Sequence, residues 1–334
     1  MKRQTLYFTA PRQVEVREEE LSALLAGQVL VQTVVSAISA GTEMLVYRGQ
    51  FPEHLLDAHD ALSSDIQYPV AYGYSCVGRV IETGPQVDKS WLGRLVFAFQ
   101  PHTTHFVAAT ESLFPVPEAV SPETACFLPN AETAVNLVQD AAPILGERIL
   151  IFGQGIIGLL TSALLAEFPL EILAAADCFP RRRDAALTLG LHTCFDPDSP
   201  DFAESTRSLF PDGADACLEL SGVPAALDDA IRMTTFTGRV LIGSWYGSKR
   251  TALNLGGSFH RSRIQLISSQ VSSISPALSS RWDKSRRFDV VWRALQRIRP
   301  EKWITHRFEL AQAAEAYRLL DEQAGETIQV VFRY

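Results

Sequence analysis

The apolar and polar positions along this chain fall into two textures. Up to Ala108 the apolar residues come in short, near-alternating runs broken by Gly and Pro: Val14–Arg17, Gln28–Ser36, Cys76–Thr83, Arg94–Phe99 and His105–Ala108. Such runs between turn residues predict strands, here of a compact, mostly antiparallel, barrel-like domain. From Ile149 onwards, uninterrupted apolar runs (Ile149–Phe152, Ile172–Ala176, Ala216–Leu220, Val240–Gly243, Ile264–Ser268) alternate with helical segments. That alternation predicts a parallel, doubly wound sheet. Ser272 to Ser285 is serine-rich and polar and reads as the exit from that sheet domain. A helix over Phe288–Ile298, a strand over Ile304–Phe308, a helix over Ala311–Leu320 and a strand over Thr327–Phe332 follow. The antiparallel domain is therefore expected to be discontinuous, with residues 1–142 and 283–334 flanking a parallel-sheet domain of residues 143–282.

Chemistry first becomes legible where Ile149–Phe152 runs into Gly153, Gly155 and Gly158 and a smooth apolar helix pattern follows. Strand, turn and helix together make G-x-G-x-x-G a specific signal for a dinucleotide. Gly153 permits the tight turn, Gly155 lets the backbone approach a pyrophosphate, and Gly158 lets the helix pack close to the strand. The backbone at Gly155, Ile156, Ile157 and Gly158 then presents a helix N-terminus to the diphosphate. Asp177 ends the next apolar run, 24 residues past Gly153, close to the spacing of about 20 at which an acid meets the adenosine ribose. A carboxylate there favours NAD over NADP. The cluster Arg181, Arg182 and Arg183 keeps NADP open, because guanidinium groups grip a 2′-phosphate; it equally suits the solvated first turn of a helix from Arg183 to Leu189 that ends at Gly190.

Composition narrows the classes. There are 38 Asp and Glu against 30 Lys and Arg, for a net charge of −8, and 47% of residues are hydrophobic. A full core is within reach, and no basic block points to a nucleic acid. No apolar run approaches the roughly 18 residues needed to span a bilayer, and the N-terminal residues carry no apolar signal core. Five cysteines lie far apart without a C-x-x-C pair. They read as buried thiols in a reducing compartment, so a cytoplasmic location and a small-molecule substrate are expected.

Further motifs carry a resemblance. Pro69-Val-Ala-Tyr-Gly-Tyr-Ser-Cys-Val-Gly-Arg-Val-Ile-Glu-Thr-Gly84 resembles the P-x-x-x-G-H-E-x-x-G-x-V-x-x-x-G segment of the medium-chain dehydrogenase/reductase superfamily, the alcohol dehydrogenase and quinone reductase group. Leu92-Gly-Arg-Leu-Val resembles its G-D-R-V turn; Ala125 to Ala141 with Thr133, Ser221-Gly222 and Ile304-Thr-His-Arg-Phe also fit. The resemblance covers nearly the whole chain. It implies an α/β protein: a Rossmann doubly wound parallel sheet plus a discontinuous GroES-like, mostly antiparallel β domain. It also implies an oxidoreductase whose cofactor contacts include Thr133, Ser221 and Gly243, with Arg182 and Asp177 at the adenosine end.

The departures are equally informative. Zinc-dependent members place Cys and His ligands where this chain has Ser39 and Tyr74, and the third ligand region reads Leu128-Pro-Asn-Ala. A hydroxyl, a phenol and an amide do not form zinc's preferred tetrahedron, and the four-cysteine structural lobe is absent, so no zinc is expected. His102 and His105 have H-x-x-H spacing with Glu111 nearby, but they lack an obvious third ligand; hydrogen-bonded histidines are the plainer reading. Without a Lewis acid, the reacting oxygen needs side-chain donors. Tyr74 is the first, unless it merely fills the vacated cavity and bonds Ser39. Thr42 and Glu43 stand where relatives carry a relay hydroxyl and an acid, Glu43 being either a general base or a structural carboxylate.

Arg48 to Tyr68, with His54 and His59, reads as a substrate-shaping loop with a short helix. Trp245-Tyr246-Gly247 follows the fourth strand of the parallel set and hints at a bulky apolar substrate near the nicotinamide. The Ser-Ala-Ile-Ser-Ala-Gly-Thr-Glu43 signature with Gly-Tyr-Ser75 is similar to the zinc-free branch containing bacteriochlorophyllide a dehydrogenase. Three readings follow: a zinc-independent secondary alcohol or ketone oxidoreductase, a quinone or enone reductase of the same fold, and a non-catalytic cofactor-binding protein. Relatives also pair through the sheet edge, so the Ile264–Ser268 run is a candidate homodimer contact.

Overall fold

The structure, a computed structural model, describes residues 1–51 and 66–334. These form two compact units, one of residues 1–51, 66–129 and 295–334 and the other of residues 130–294. His54 and His59 lie outside the described residues.

In chain order the strands are β1 (Lys2–Ala10), β2 (Gln13–Glu20), β3 (Gln28–Ala37), β4 (Cys76–Thr83), β5 (Leu95–Ala98), β6 (His105–Ala109), β7 (Phe114–Pro115), β8 (Arg148–Phe152), β9 (Ile172–Ala176), β10 (Thr193–Phe195), β11 (Ala214–Glu219), β12 (Thr234–Ile242), β13 (Gln265–Ser268), β14 (Ile304–Glu309) and β15 (Gln329–Arg333). The α-helices are α1 (Thr42–Arg48), α2 (Pro122–Ala125), α3 (Leu128–Ala141), α4 (Ile156–Leu165), α5 (Pro180–Leu187), α6 (Phe202–Leu209), α7 (Ala226–Met233), α8 (Lys284–Ile298) and α9 (Ala313–Glu322).

The first unit is built on a seven-stranded sheet in the order β14-β15-β3-β4-β5-β7, with β6 also paired to β3, and on the separate hairpin β1-β2. Every pairing is antiparallel except β14 with β15. Alternation along β3 and β4 puts Val29, Val31, Cys76 and Val80 on a shared inner face with Val96 and Phe106, as period-two patterning requires. A second core gathers Leu6, Phe8, Met44, Val46, Phe332 and the α9 residues Ala313, Ala316, Tyr317 and Leu320. Those four recur at i, i+3, i+4 and i+7, the stripe of an amphipathic helix. α9 starts two residues later than its pattern predicts, because Leu310–Gln312 forms a 3₁₀ turn closed by a capping box between Glu309 and Gln312.

The second unit carries six parallel strands in the order β10-β9-β8-β11-β12-β13. β8 is buried at Ile149, Leu150, Ile151 and Phe152, and eight of the ten α4 residues are buried. Such continuous apolar runs belong to a sheet covered on both faces. The α/β class with a Rossmann sheet and a separate antiparallel domain is thus observed.

The unit boundaries fall at Pro129/Asn130 and Ala294/Leu295, outside the changes of texture in the sequence. The reason is local. Most of α3 packs with the parallel sheet, where Asn136 donates to Ser269 Oγ at 2.9 Å. The serine-rich stretch stays in this unit too, held by fully buried Arg287, whose guanidinium reaches Glu132, Asn136 and the carbonyls of Val271 and Ser273. Of the five cysteines, none in a disulfide, Cys76, Cys126 and Cys217 are buried. Cys178 corrects the expectation of buried thiols: it is exposed, in the turn that follows Asp177.

Candidate functional site

In the parallel-sheet unit, the end of β8 sets the turn. Gly153 has φ +92°, and its N–H donates to Ala176 O at 2.7 Å. A Cβ here would stand 2.6 Å from Ser221 Cα, so glycine is required by conformation and by packing. A Cβ on Gly158 would lie 2.0 Å from the Gly153 carbonyl oxygen, which fixes how closely α4 approaches the strand. Gly155 differs: the nearest atom to a Cβ there is Arg182 Nη1 at 3.9 Å. No protein packing demands glycine at 155, and its bare backbone faces open space. Directly after it, Ile156, Ile157 and Gly158 begin α4, whose first N–H groups have no intrahelical acceptor. A bare backbone beside a helix N-terminus suits the diphosphate of a dinucleotide.

Asp177 is buried and already engaged. Its Oδ2 accepts the Gln154 N–H at 2.7 Å and its Oδ1 the Phe179 N–H at 2.9 Å. Gln154, which the spacing x of the motif conceals, is wholly buried and accepts the Ser162 hydroxyl at 2.9 Å, tying the turn to α4. The arginine cluster divides in two. Arg183 Nη1 donates to the carbonyls of Asp177 and Cys178 at 2.8 Å and pairs with Asp196 at 3.1 Å, a structural use. Arg182 lies over the Phe179 ring, 4.7 Å from its centroid, with Nη1 4.0 Å from Asp177 Oδ2. Arg182 and Asp177 thus share the corner beside Gly155.

Of the remaining cofactor candidates, Ser221 packs on Gly153 and gives its N–H to Glu219 Oε1 at 2.8 Å. Gly243 packs tightly: a Cβ would meet Leu220 Cδ2 at 2.5 Å and Leu137 Cδ2 at 2.7 Å. Thr133 lies partly buried in α3 of the same unit.

In the antiparallel unit the structure joins Ser39, Thr42, Glu43 and Tyr74, and adds His102, Ser36, Tyr317 and Tyr334. Glu43 is fully buried in the first turn of α1. It accepts the Ser39 N–H at 2.8 Å, His102 Nε2 at 2.9 Å and the Tyr317 hydroxyl at 2.5 Å. His102 is also fully buried, with Nδ1 2.7 Å from Ser36 Oγ, which lies 2.8 Å from the Tyr334 hydroxyl. One polarity satisfies every group: Tyr334 donates to Ser36, Ser36 to Nδ1, and Nε2–H to Glu43. Three donors thus converge on Glu43, one on Oε1 and two on Oε2, and tie it to the Ser39–Thr42 turn. The H-x-x-H spacing does not converge: His105 Nδ1 lies 3.1 Å from Thr104 Oγ1 at the start of β6, away from the His102 contacts.

Tyr74 donates to Ser39 Oγ at 2.5 Å and lies 3.5 Å from Thr42 Oγ1. Burial raises its phenol above the ordinary tyrosine value, opposed by the Ser39 and Thr42 hydrogen bonds. It stays protonated, with its one O–H given to Ser39.

These features match known proteins. The family profile described as zinc-binding dehydrogenase matches residues 157–287. D-guloside 3-dehydrogenase of Escherichia coli (strain K12) is 24% identical over 343 aligned positions, spanning 97% of this chain and 98% of that protein. L-threonine 3-dehydrogenase of Pyrococcus horikoshii is 25% identical over 67% of this chain and 70% of its own. Among solved structures, an alcohol dehydrogenase of E. coli CFT073 complexed with NADH superposes with a TM-score of 0.80 at 18% identity, covering 100% of this chain and 99% of the other. These matches support the resemblance to the medium-chain dehydrogenase/reductase superfamily.

The two groups above stand differently against these matches. The profile match lies wholly within residues 157–287, so its zinc-binding description does not reach Ser39 or Tyr74. Those two side chains bond each other where the sequence resemblance puts zinc ligands in other members. What sequence reasoning missed is the partner set of Glu43. His102 lies 59 residues away and Tyr317 lies 274 away, and no local spacing links them.

Proposed function

We propose that this chain is a zinc-independent, NAD(P)-dependent oxidoreductase of the medium-chain type that transfers hydride between nicotinamide and a secondary alcohol or ketone. The observation that carries it is Gly155, a glycine that packing does not require, open beside the N-terminus of α4 and next to Asp177. The bound dinucleotide supplies the hydride acceptor or donor. The chain's own residues hold its diphosphate at 155–158 and its adenosine ribose at Asp177, which favours NAD, with Arg182 at the same corner for a 2′-phosphate.

Two features support a zinc-free centre. Tyr74 and Ser39 bond each other, Glu43 already accepts three donors, and both His102 ring nitrogens are engaged. A substrate oxygen would take the Tyr74 proton now given to Ser39, with the Ser39 hydroxyl turning to donate to the phenol oxygen, and Thr42 is its neighbour. The names of similar proteins, D-guloside 3-dehydrogenase and (R,R)-butanediol dehydrogenase of Bacillus subtilis, support a substrate with a hydroxyl on a secondary carbon.

The test is cofactor-dependent turnover on a polyol, sugar-glycoside and ketone panel against a quinone and enone panel, with metal content measured on the same preparation. Turnover of secondary alcohols without bound metal is expected. Activity confined to quinones or enones, cofactor binding without any turnover, or stoichiometric zinc that activity requires would each overturn the proposal.

A further inference from the structure

The parallel-sheet unit holds a further buried carboxylate that the reading above does not use. Glu219, at the carboxyl end of β11, is fully buried. Its Oε1 accepts the Ser221 N–H at 2.8 Å and also the Ser221 hydroxyl, and its Oε2 accepts the Tyr246 phenol at 2.5 Å. All three donors are uncharged. The same residue's carbonyl accepts the N–H groups of Gly243 at 3.0 Å and Ser244 at 3.2 Å. Ser244 Oγ in turn accepts the Gly222 N–H at 2.9 Å, and Lys249 Nζ donates to Gly222 O at 2.8 Å. One residue therefore binds the loop after β11 to the loop after β12. A buried charge is costly unless donors surround it, and an apolar residue would fill the end of a strand without that cost.

The sheet order places these loops. Strands run outward from β8 through β9 to β10 on one side, and from β11 through β12 to β13 on the other, so direction switches between β8 and β11. Ligands of open parallel sheets lie across such a switch at the carboxyl ends of the strands. The glycine turn holds the diphosphate after β8, and Asp177 holds the adenosine side after β9. The other half of a dinucleotide then falls over the ends of β11 and β12, where Ser221, Gly222 and Tyr246 are gathered.

We infer that Glu219 is a positioning residue for the nicotinamide half of the cofactor, acting through Ser221 and Tyr246 to fix the two loops beneath it. This rests on the dinucleotide reading proposed above. Burial, followed by the hydrogen bond to Glu219, holds the Tyr246 phenol well above the usual tyrosine range, which keeps it a donor to the carboxylate.

The test compares whole NADH with its adenosine half, ADP-ribose, by calorimetry on wild type, Glu219→Gln and Tyr246→Phe. NADPH with 2′-phospho-ADP-ribose is used instead if the wild type prefers it. Tyr246→Phe removes a single hydroxyl from a partly exposed loop residue, so it keeps the question open if Glu219→Gln fails to fold. In the variants the NADH affinity is expected to fall about tenfold, the scale of one hydrogen bond to a charged acceptor, with ADP-ribose affinity unchanged. Equal losses for both ligands, or no change in either, would overturn the inference. Wild-type protein that binds neither ligand would instead refute the dinucleotide reading itself, so the two failures are distinguishable.

Discussion

Replacing Tyr317 with Phe probes the anchor at Glu43 with little other disturbance. Tyr317 is fully buried, and its ring is held edge-on to Phe8 at 5.1 Å and stacked on Tyr47 at 5.4 Å, contacts a phenylalanine keeps. What disappears is one hydroxyl on a carboxylate that is itself fully buried and left with the Ser39 N–H and His102 Nε2. A hydrogen bond to a charged acceptor contributes about 1.5–3 kcal/mol, and an equivalent one between neutral groups about 0.5–1.5 kcal/mol. Tyr317→Phe should therefore destabilise the antiparallel unit by about 2 kcal/mol in the wild-type background and by about 1 kcal/mol beside Glu43→Gln, a coupling of about 1 kcal/mol by double-mutant cycle. Hydrogen exchange at the β3 and β15 amides reports opening of that unit at pH 7. The same variant tests the alkaline limb. Burial first, then the Glu43 charge, raises the Tyr317 phenol well above its ordinary value. Its contribution is fully present below the unfolded tyrosine pKa of about 10 and is lost as pH rises beyond it, by about 1.4 kcal/mol per pH unit. Tyr317→Phe should flatten that limb. A loss below about 0.5 kcal/mol at pH 7, or an identical loss in both backgrounds, would refute the role given to Glu43.

Other expectations follow from the same geometry. Gly155→Ala should leave the melting temperature near wild type and abolish NADH binding, because its Cβ meets only Arg182 Nη1 at 3.9 Å. Gly158→Ala should lower the melting temperature by several degrees, its Cβ falling 2.0 Å from Gly153 O; equal behaviour of the two variants would contradict the division of labour in the turn. Asp177→Ala should shift the kcat/KM ratio of NAD to NADP at least about tenfold towards NADP, and an unchanged ratio would remove Asp177 from ribose recognition. Glu123, forked by Arg307 and also held by Arg333, has its carboxyl lowered to about 2, chiefly by the Arg307 hydrogen bonds. Its contribution, about 1 kcal/mol for a partly exposed pair, is present above the ordinary glutamate value and lost as pH falls towards 2. Acid titration of Glu123→Gln should show that step missing. Light scattering tests whether the open edge at β13 pairs two copies of the chain; a monomer would remove that idea.

How far the molecule was legible in its sequence depended on the range of the interactions involved. The parallel strands could be read because β8 and β9 are buried on both faces and leave unbroken apolar runs, and the glycine turn because its three glycines fall within six residues, even though Gly153 packs on distant Ser221. α1 was not read: Thr42–Arg48 is seven residues, five of them buried, and so short and inward-facing a helix has no polar stripe to show a 3.6-residue period. The buried pair Glu43–His102 was hidden for another reason. Each residue has a plausible local role, a relay acid for one and half of an H-x-x-H for the other, and long-range pairing, of β3 with β6 and of β1 with the His102 segment, brings them together. Glu219 was within reach, since a carboxylate inside the apolar run Ala216–Leu220 has to find donors or pay desolvation. Charged residues that break an otherwise buried pattern are thus the positions where sequence reasoning can still locate function. Two of them are Glu43 at the start of α1, bonded to the Ser39 N–H beside the Ser39–Tyr74 pair, and Glu219 at the end of β11, which ties the loops beyond β11 and β12.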